Sequence, residues 1–201
     1  MKRTVFTIVT ALFLLFALCS CTGGDFAASV NGVNIEKSSL DEFQKSNEIM
    51  KELMTGQISS AQLSEDERAA QLEQINNNLT TDREKLLDIM IENAYINSRY
   101  SFISHEQAKE EVTKQLQSLE SYSEDYPDTA VSKSVIDEYI KRLGITEDEY
   151  IEKAADSYEI YVNKLKAKEE YGAEKQISGE ELDSEFEKYI KAEIDKTLVI
   201  Y

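Results

Sequence analysis

The sequence contains few of the residues on which catalytic and metal centres most often depend. Its 201 residues include one histidine, two cysteines and no tryptophan. Positive charge is also scarce, because 22 lysines and arginines stand against 39 aspartates and glutamates, which gives a formal net charge of −17. A chain this acidic is not expected to bind nucleic acid or to dock electrostatically on an anionic membrane. The composition therefore predicts no metal, no cofactor and no nucleic-acid partner.

Residues that form turns are also scarce. Seven glycines and one proline in 201 residues are far fewer than an ordinary globular chain contains. Glutamate, lysine, glutamine, leucine and alanine are plentiful, and these side chains lose little freedom in a helix. Apolar residues make up 41% of the chain and recur at regular spacing, which argues against disorder. The composition predicts long helices with short connections, in one domain or two small lobes.

The first residues have the pattern of an export signal. Lys2-Arg3 is followed by an apolar run from Val5 to Leu18, which suits a signal peptide and is too short for a good transmembrane span. The next residues, Leu18-Cys19-Ser20-Cys21, resemble a bacterial lipobox in which Cys21 is the acylated residue. This resemblance implies a signal peptide over residues 1–20, diacylation of Cys21 and a lipidated tether over residues 21–25.

The lipobox resemblance also implies a location. A chain acylated at Cys21 is expected to sit on the extracytoplasmic face of the cell membrane, with its folded part over residues 26–201. Two alternatives without an anchor remain open, which are an ordinary secretory signal and a disulfide between the two cysteines. A Cys19–Cys21 disulfide would close a very tight ring.

The chain is predicted to form a small β-sheet from its two ends. Residues 27–30 and 33–36 alternate around Asn31-Gly32, a pair that tolerates the positive φ angles of a two-residue hairpin turn. So small a hairpin needs a third strand or a helix against which to pack. The β-forming run Leu198–Tyr201 is predicted to be that third strand.

Between these strands the sequence predicts helices. Apolar residues with a 3–4 period predict helices over residues 81–102, 104–120, 146–171 and 179–194, with a weaker one within 56–80. Helix-start motifs of the Ser/Thr-x-x-Glu/Gln type begin at Ser39, Ser64, Thr81, Ser104, Thr146 and Ser178. Gly144 and Gly172 are predicted to end helices, and residues 120–134, with the only proline, are predicted to be a loop. The fold class is thus mainly α with a small β-sheet.

The order of these elements resembles a known family. The pieces that carry the resemblance are Ser29-Val-Asn-Gly-Val-Asn-Ile35, Leu86-Leu-Asp-Ile-Met-Ile-Glu-Asn-Ala94, Leu143-Gly-Ile-Thr-Glu-Asp-Glu-Tyr-Ile151 and Ile177-Ser-Gly-Glu-Glu-Leu182. They are similar to the N-terminal chaperone module of SurA and of PrsA-type foldase lipoproteins. The resemblance implies an elongated helical chaperone domain over residues 26–201.

The sequence departs from that family after the last of these pieces. In the foldases the chain continues into a parvulin prolyl isomerase domain, whereas only 24 residues follow Ile177 here. The chaperone activity of the family is therefore expected to carry over and the isomerase activity is not, so the chain is not predicted to be an enzyme.

The residues that could carry chemistry have simpler interpretations. His105 lies at a predicted helix start with no serine, cysteine or second histidine beside it, which favours a solvated or capping role. Acid clusters at residues 65–67, 147–149 and 180–181 fall in predicted first turns, where negative charge complements the helix dipole. No metal-ligand spacing is present. A paired-carboxylate hydrolase would need a pair that nothing in the sequence singles out.

Aromatic and methionine side chains are the candidates for binding apolar partners, since both adapt to varied surfaces. Each of them also fits a place in the core. The candidates are Phe43, Met50, Met54, Tyr122, Tyr126, Tyr158 and Tyr161.

Together these features predict a membrane-anchored extracytoplasmic lipoprotein with chaperone-like activity. Its partners are expected to be unfolded or newly exported polypeptides, and its contact with the membrane is expected to be the lipid anchor. The alternatives are an envelope adaptor lipoprotein with one defined partner and no chaperone activity, and an enzyme with an unrecognised site.

Overall fold

Three short strands join the two ends of the chain into one antiparallel sheet. In the computed structural model, which describes residues 25–61, 63–123 and 127–201, the strands are β1 (Phe26–Val30), β2 (Val33–Glu36) and β3 (Val199–Ile200), in the order β2-β1-β3. Asn31 and Gly32 have φ angles of 48° and 81°, as a two-residue hairpin turn requires. The predicted hairpin and its third strand are confirmed. The predicted signal peptide, Cys21 and Tyr126 lie outside the described residues.

Seven helices lie within the described residues, and the predicted fold class of mainly α with a small sheet is confirmed. The connections between helices and strands are short, so little of the described chain is irregular. In chain order the helices are α1 (Lys37–Ser60), α2 (Glu65–Asn78), α3 (Arg83–Arg99), α4 (His105–Ser123), α5 (Pro127–Leu143), α6 (Glu147–Lys175) and α7 (Gly179–Ile194).

Side-chain capping explains where several of these helices begin. Ser64, Ser104 and Thr146 each accept a hydrogen bond from the backbone N–H three residues on, and the Glu or Gln at that position accepts one from the cap N–H. Two of the predicted motifs are displaced, because Asp82 rather than Thr81 caps α3, and α1 begins two residues before Ser39. Ser178 precedes α7 but forms no capping bond with its side chain.

The loop predicted for residues 120–134 is wrong. Helix α4 continues to Ser123, and α5 begins at Pro127. Proline is compatible with the first turn of a helix, because the N–H that it lacks has no intrahelical acceptor there. The only proline of the chain therefore starts a helix.

The two glycines predicted to end helices behave differently. Gly144 follows the end of α5 with a φ of 73°, and its N–H donates to the Ile140 carbonyl at 3.0 Å. Gly172 instead lies inside α6, and the prediction that it ends the helix is wrong. A Cβ atom at Gly172 would lie 2.8 Å from Leu182 Cδ2, so the glycine permits α6 and α7 to approach each other.

Buried apolar side chains form two separate cores. We call the regions around them the sheet lobe and the helical lobe. The sheet-lobe core contains Ala28, Val30, Ile35, Leu40, Phe43, Leu86, Met90, Ile91, Ala94, Tyr95, Ile96, Ala167, Phe186, Ile190 and Ile194. The helical-lobe core contains Met50, Met54, Ile58, Ile75, Leu79, Val112, Leu116, Leu119, Val135, Ile136, Tyr139, Tyr150, Ile151 and Ala154.

Buried polar side chains on α1 and α6 lie between the residues that these helices give to the two cores. On α6, Asn163 donates from Nδ2 to Asn97 Oδ1 at 3.2 Å and accepts from the Phe102 N–H at 2.8 Å. On α1, Asn47 Nδ2 donates to the Thr80 carbonyl at 2.8 Å. Because each polar group is hydrogen-bonded, burial between the cores does not leave these groups unsatisfied.

Candidate functional site

A groove on the surface of the sheet lobe is the strongest candidate for a binding site. It runs between α3 and α7 and has a volume of about 360 Å³, within the range of roughly 300–1,000 Å³ usual for ligand pockets. Its floor is formed by half-buried Leu198, just before β3, and by four side chains of the sheet-lobe core that are at most 8% exposed, namely Ile91 of α3 and Phe186, Ile190 and Ile194 of α7. The three α7 residues follow one another at four-residue spacing, which places them on one face of the helix.

An aromatic cluster supports the floor. The ring of Tyr171 on α6 lies 5.7 Å from that of Phe186 and 4.9 Å from that of Tyr189, measured between ring centroids. Such ring contacts stabilise the packing beyond what burial of their apolar area alone contributes. Burial, followed by a hydrogen bond with Tyr189, raises the pKa of Tyr100 above its usual range, so this hydroxyl stays protonated at neutral pH. The floor is therefore fixed by packing from beneath.

The rim of the groove is charged and mostly acidic. Its carboxylates belong to Asp88, Glu92, Glu187 and Asp195, and its cations to Lys164 and Lys191. Glu92 and Lys164 form an ion pair with each other. The excess of carboxylates over ammonium groups makes the rim attractive to cations.

Three of the rim carboxylates, those of Asp88, Glu187 and Asp195, are exposed and available to a ligand. Asp88 and Glu187 are exposed, and neither forms an ion pair with a residue of the described ranges. They belong to α3 and α7 respectively, so they face the groove from two different helices. A ligand that fills the apolar floor and carries positive charge on both sides would meet a complementary surface.

A second polar cluster lies on the helical lobe around the only histidine. His105 Nε2 lies 2.9 Å from Glu152 Oε2, and its Nδ1 lies 3.2 Å from Asp156 Oδ1 and 3.6 Å from Glu159 Oε2. Lys109 also pairs with Glu152. The cluster joins the first turn of α4 to the middle of α6. It therefore links the two helices through ion pairs.

The charges in this cluster shift one another's protonation. The hydrogen bond to Glu152 is the main cause that raises the pKa of His105, with the charges of Asp156, Glu152 and Glu159 adding to it and burial opposing it. The pKa of Glu152 is lowered by its hydrogen bonds with Lys109 and then His105. Burial raises the pKa of Asp156. The charged imidazolium is thus favoured in the folded protein.

The predicted client-binding residues do not come together at one site. Phe43 is buried in the sheet-lobe core, and Met50 and Met54 are buried in the helical-lobe core. A client could reach these three side chains only if the cores opened. They therefore do not belong to a surface of this structure.

Of the four predicted tyrosines, the three within the described residues lie on α4 and α6. Tyr122 and Tyr161 are exposed, whereas Tyr158 is half-buried and packs against the helical-lobe core. The rings of Tyr158 and Tyr161 lie 6.5 Å apart between centroids. None of them lines the groove between α3 and α7.

The groove contains none of the residues singled out in the sequence as client-binding candidates. Its signal was present as two apolar stripes with acids beside them, Asp88 and Glu92 around Ile91, and Glu187 beside Phe186. What the stripes do not reveal is that α3 and α7 leave a gap where they meet. Apolar residues recur at the same spacing on a helix face that packs in a core and on one that lines a groove.

The described residues contain neither a metal-binding cluster nor a membrane-spanning helix. Across residues 25–61, 63–123 and 127–201, no set of three or more histidine, cysteine or carboxylate side chains is arranged to hold a metal ion. Within the same described part of the chain, no helix has both the length and the apolar character needed to cross a membrane.

Comparison with known proteins adds no family to these observations. No protein-family model matches the sequence, and neither the curated proteins nor the solved structures give a significant match. The resemblance to the chaperone module of the foldases stays a prediction that depends on the motifs of the sequence.

Proposed function

We propose that the protein is a membrane-anchored extracytoplasmic lipoprotein that binds unfolded or newly exported polypeptides, and that they bind in the groove between α3 and α7. The lipobox-like residues that end at Cys21 support the anchor. The observation that carries the binding proposal is a groove in which an acidic rim surrounds the half-buried side chain of Leu198, above closely packed apolar residues.

This combination suits an unfolded polypeptide better than a small polar metabolite. Unfolded chains expose aliphatic and aromatic side chains that a folded protein would bury, and such side chains gain free energy by leaving water. Half-buried Leu198 offers that apolar contact, while Ile91 and Ile190, which are 4% and 3% exposed, close the bottom of the groove. The rim selects among unfolded segments, because carboxylates attract lysine and arginine and repel acidic stretches.

The proposal includes no prolyl isomerase activity. Binding alone can keep unfolded chains apart, since an occupied apolar segment is not free to aggregate. We therefore expect the protein to reduce light scattering by an aggregating unfolded protein without accelerating a proline-limited refolding phase. Acceleration at catalytic concentrations would contradict this part of the proposal.

Peptide binding to the full lipidated chain tests the role of the groove. The chain is reconstituted in nanodiscs of zwitterionic lipid, and fluorescence anisotropy is measured with a short labelled peptide of alternating leucine and lysine. A peptide of alternating leucine and glutamate is the matched probe of opposite charge, and empty nanodiscs give the background. We expect the basic peptide to bind and the acidic one not to bind.

A double variant at the rim locates the site. Asp88→Lys with Glu187→Lys reverses the charge of two rim carboxylates that face the groove from different helices, and it is expected to weaken binding of the basic peptide about tenfold. Glu48→Lys with Glu73→Lys makes the same change in net charge at exposed positions of α1 and α2, and it should leave affinity within about twofold at physiological salt. Equal losses in both double variants would show that binding follows net charge and not the groove.

The number of partners separates the chaperone-like function from an adaptor. A groove that recognises unfolded segments should retain many exported proteins weakly, and the rim variant should reduce all of them. Capture of a single partner with saturable binding, together with no binding of the basic peptide, would favour the adaptor.

A further inference from the structure

The edge of the sheet beside the groove has unused hydrogen-bonding groups. β3 is the end strand of the sheet formed by the described residues. Tyr201 N–H donates to the Ala27 carbonyl of β1 at 3.1 Å. Adjacent residues of an antiparallel strand direct their main-chain groups to opposite sides. The N–H and C=O of Ile200 therefore point away from β1, toward the open edge.

The side chains at this edge are apolar and exposed. Val199, Ile200 and Tyr201 have 49%, 58% and 65% of their surface accessible to solvent. Ile200 lies opposite Ala28 in the β1–β3 pair, so the two side chains are on the same face of the sheet. Ala28 is fully buried in the sheet-lobe core. The core-side face of the sheet thus extends beyond the helices that cover it.

This uncovered strip continues into the groove. Leu198 lines the groove and lies two residues before Ile200. Side chains two residues apart in an extended chain lie on the same face. An apolar path therefore leads from Ile194 through Leu198 to Ile200. Asp195, on the groove rim, provides a carboxylate close to this path in the chain.

Charge decides which occupant fits this edge. A second copy of the chain would bring together two molecules that each carry a formal net charge of −17, and their acidic rims would repel one another. An extended polypeptide with lysine or arginine beside its apolar residues complements the same surface. Strand addition to a sheet edge is a common way to bind such segments, because main-chain hydrogen bonds tolerate many sequences.

We propose that β3 binds an extended segment of the client by strand addition, an inference that rests on the groove being the polypeptide-binding site. One client residue exchanges two main-chain hydrogen bonds with Ile200, accepting from its N–H and donating to its C=O. Alternate client side chains then cover Ile200 and Leu198 and enter the groove. The preferred client segment is extended, with aliphatic residues at alternate positions and basic residues between them.

Two variants of Ile200 test the hydrogen bonds. Ile200→Pro removes the outward N–H without touching the bond that Tyr201 makes to β1, and proline is tolerated at such an edge. Ile200→Ala removes the same apolar side chain but keeps the N–H. With the full chain in nanodiscs, we expect Ile200→Pro to bind the leucine–lysine peptide about three- to tenfold more weakly than Ile200→Ala does. Equal affinities in the two variants would overturn strand addition.

Methylated peptides test the same bonds with the unaltered protein. Single backbone N-methyl groups are placed along the leucine–lysine peptide, one position at a time. In strand addition only alternate residues direct their N–H toward the protein. The outward groups of β3 belong to Ile200, while the Leu198 N–H already donates to the Ile194 carbonyl. A methyl group should therefore weaken binding at one peptide position and not at its two neighbours, and a scan without such a position would overturn the proposal even if Ile200→Pro perturbs β3 itself.

The same measurements separate this inference from the proposed function. If the unaltered chain binds the peptide and the rim variant weakens it, but the methyl scan shows no sensitive position flanked by insensitive ones, only strand addition fails. If the unaltered chain binds no peptide at all, both proposals fail together.

Discussion

The two lobes are built from contacts of very different range along the chain. The helical-lobe core uses residues between Met50 and Ala154, whereas the sheet-lobe core unites Ala28 with Ile194. The sheet also needs β3, which pairs with β1 across almost the whole sequence. The helical lobe can therefore form from the middle of the chain, but the sheet lobe is complete only when both ends meet. The proposed binding groove lies on the lobe whose core depends on the most distant contacts along the chain.

The lobes are nevertheless linked by two shared helices. Helix α1 gives Phe43 to one core and Met50 to the other, and α6 gives Ala154 to the helical lobe and Ala167 to the sheet lobe. Hydrogen-bonded polar side chains such as Asn163 lie between these positions. A helix shared by both cores passes the effect of a mutation from one core to the other. The polar side chains between the cores have the opposite effect, because they interrupt the apolar contacts. Mutations in each core show which of these effects is stronger.

The largest expected effects come from removing one large side chain from each core. Phe186→Ala in the sheet lobe is expected to lower the free energy of unfolding by about 3–5 kcal/mol, and Ile136→Ala in the helical lobe by about 2–5 kcal/mol. Both side chains are almost completely buried. Denaturant unfolding measures the totals, and hydrogen exchange shows where protection is lost.

We expect the pattern of exchange to follow the lobes. Phe186→Ala should speed exchange first in β1 and α7, while Ile136→Ala should do so first in α2 and α5. The two variants act as controls for each other, since each leaves the other core intact. Identical protection patterns would show that the shared helices make the whole chain one cooperative unit.

Local chemistry made much of the fold predictable from sequence. The hairpin follows from Asn31-Gly32, whose positive φ angles few other pairs accept, and the capping boxes at Ser64 and Thr146 mark helix starts. The loop predicted around Pro127 was wrong because a proline is compatible with the first turn of a helix but not with its interior, and composition does not reveal which position it has. The helix end predicted at Gly172 was wrong because the role of this glycine is set by contact with Leu182 of the next helix.

The candidate site was less predictable because it depends on distant pairing. Ile91 and Ile190 each belong to a recognisable apolar stripe, but only the packed structure shows that these stripes face one open groove. Met50 and Met54 illustrate the converse, since a stripe that suits a client is here core. Sequence spacing gives the face of a helix and leaves open what covers that face.

A smaller difference between the lobes concerns how their helices begin. In the helical lobe α2, α4 and the start of α6 have capping boxes, whereas α7 of the sheet lobe begins without a side-chain cap. Thr146→Ala is expected to cost about 1 kcal/mol of unfolding free energy, because it removes the bond to the Glu149 N–H. Ser178→Ala is the matched control and should change stability by less than about 0.5 kcal/mol. Equal losses in chemical denaturation would show that the hydroxyl of Ser178 also caps its helix in solution.

The smallest expected effect is a pH dependence confined to the helical lobe. The hydrogen bond with Glu152, aided by the charges of Asp156 and Glu159, raises the pKa of His105 in the folded chain above its ordinary value of 6.5. A raised pKa means that the folded state holds the proton more tightly than the unfolded state does. The stabilisation is therefore fully present below the unfolded pKa and is lost as pH rises through the folded pKa.

Denaturant unfolding between roughly pH 6 and pH 8 measures this loss, which should stay below about 1 kcal/mol because the ion pairs are partly exposed and screened by solvent. His105→Gln keeps a polar side chain and removes the titration, so its stability should be flatter over the same window. The single histidine also gives one imidazole signal in NMR, whose titration midpoint should lie above 6.5. A midpoint at or below that value would mean that His105 does not hold its three carboxylate partners in solution. The Lys109–Glu152 ion pair would then be the charged contact that still links α4 to α6 in this cluster.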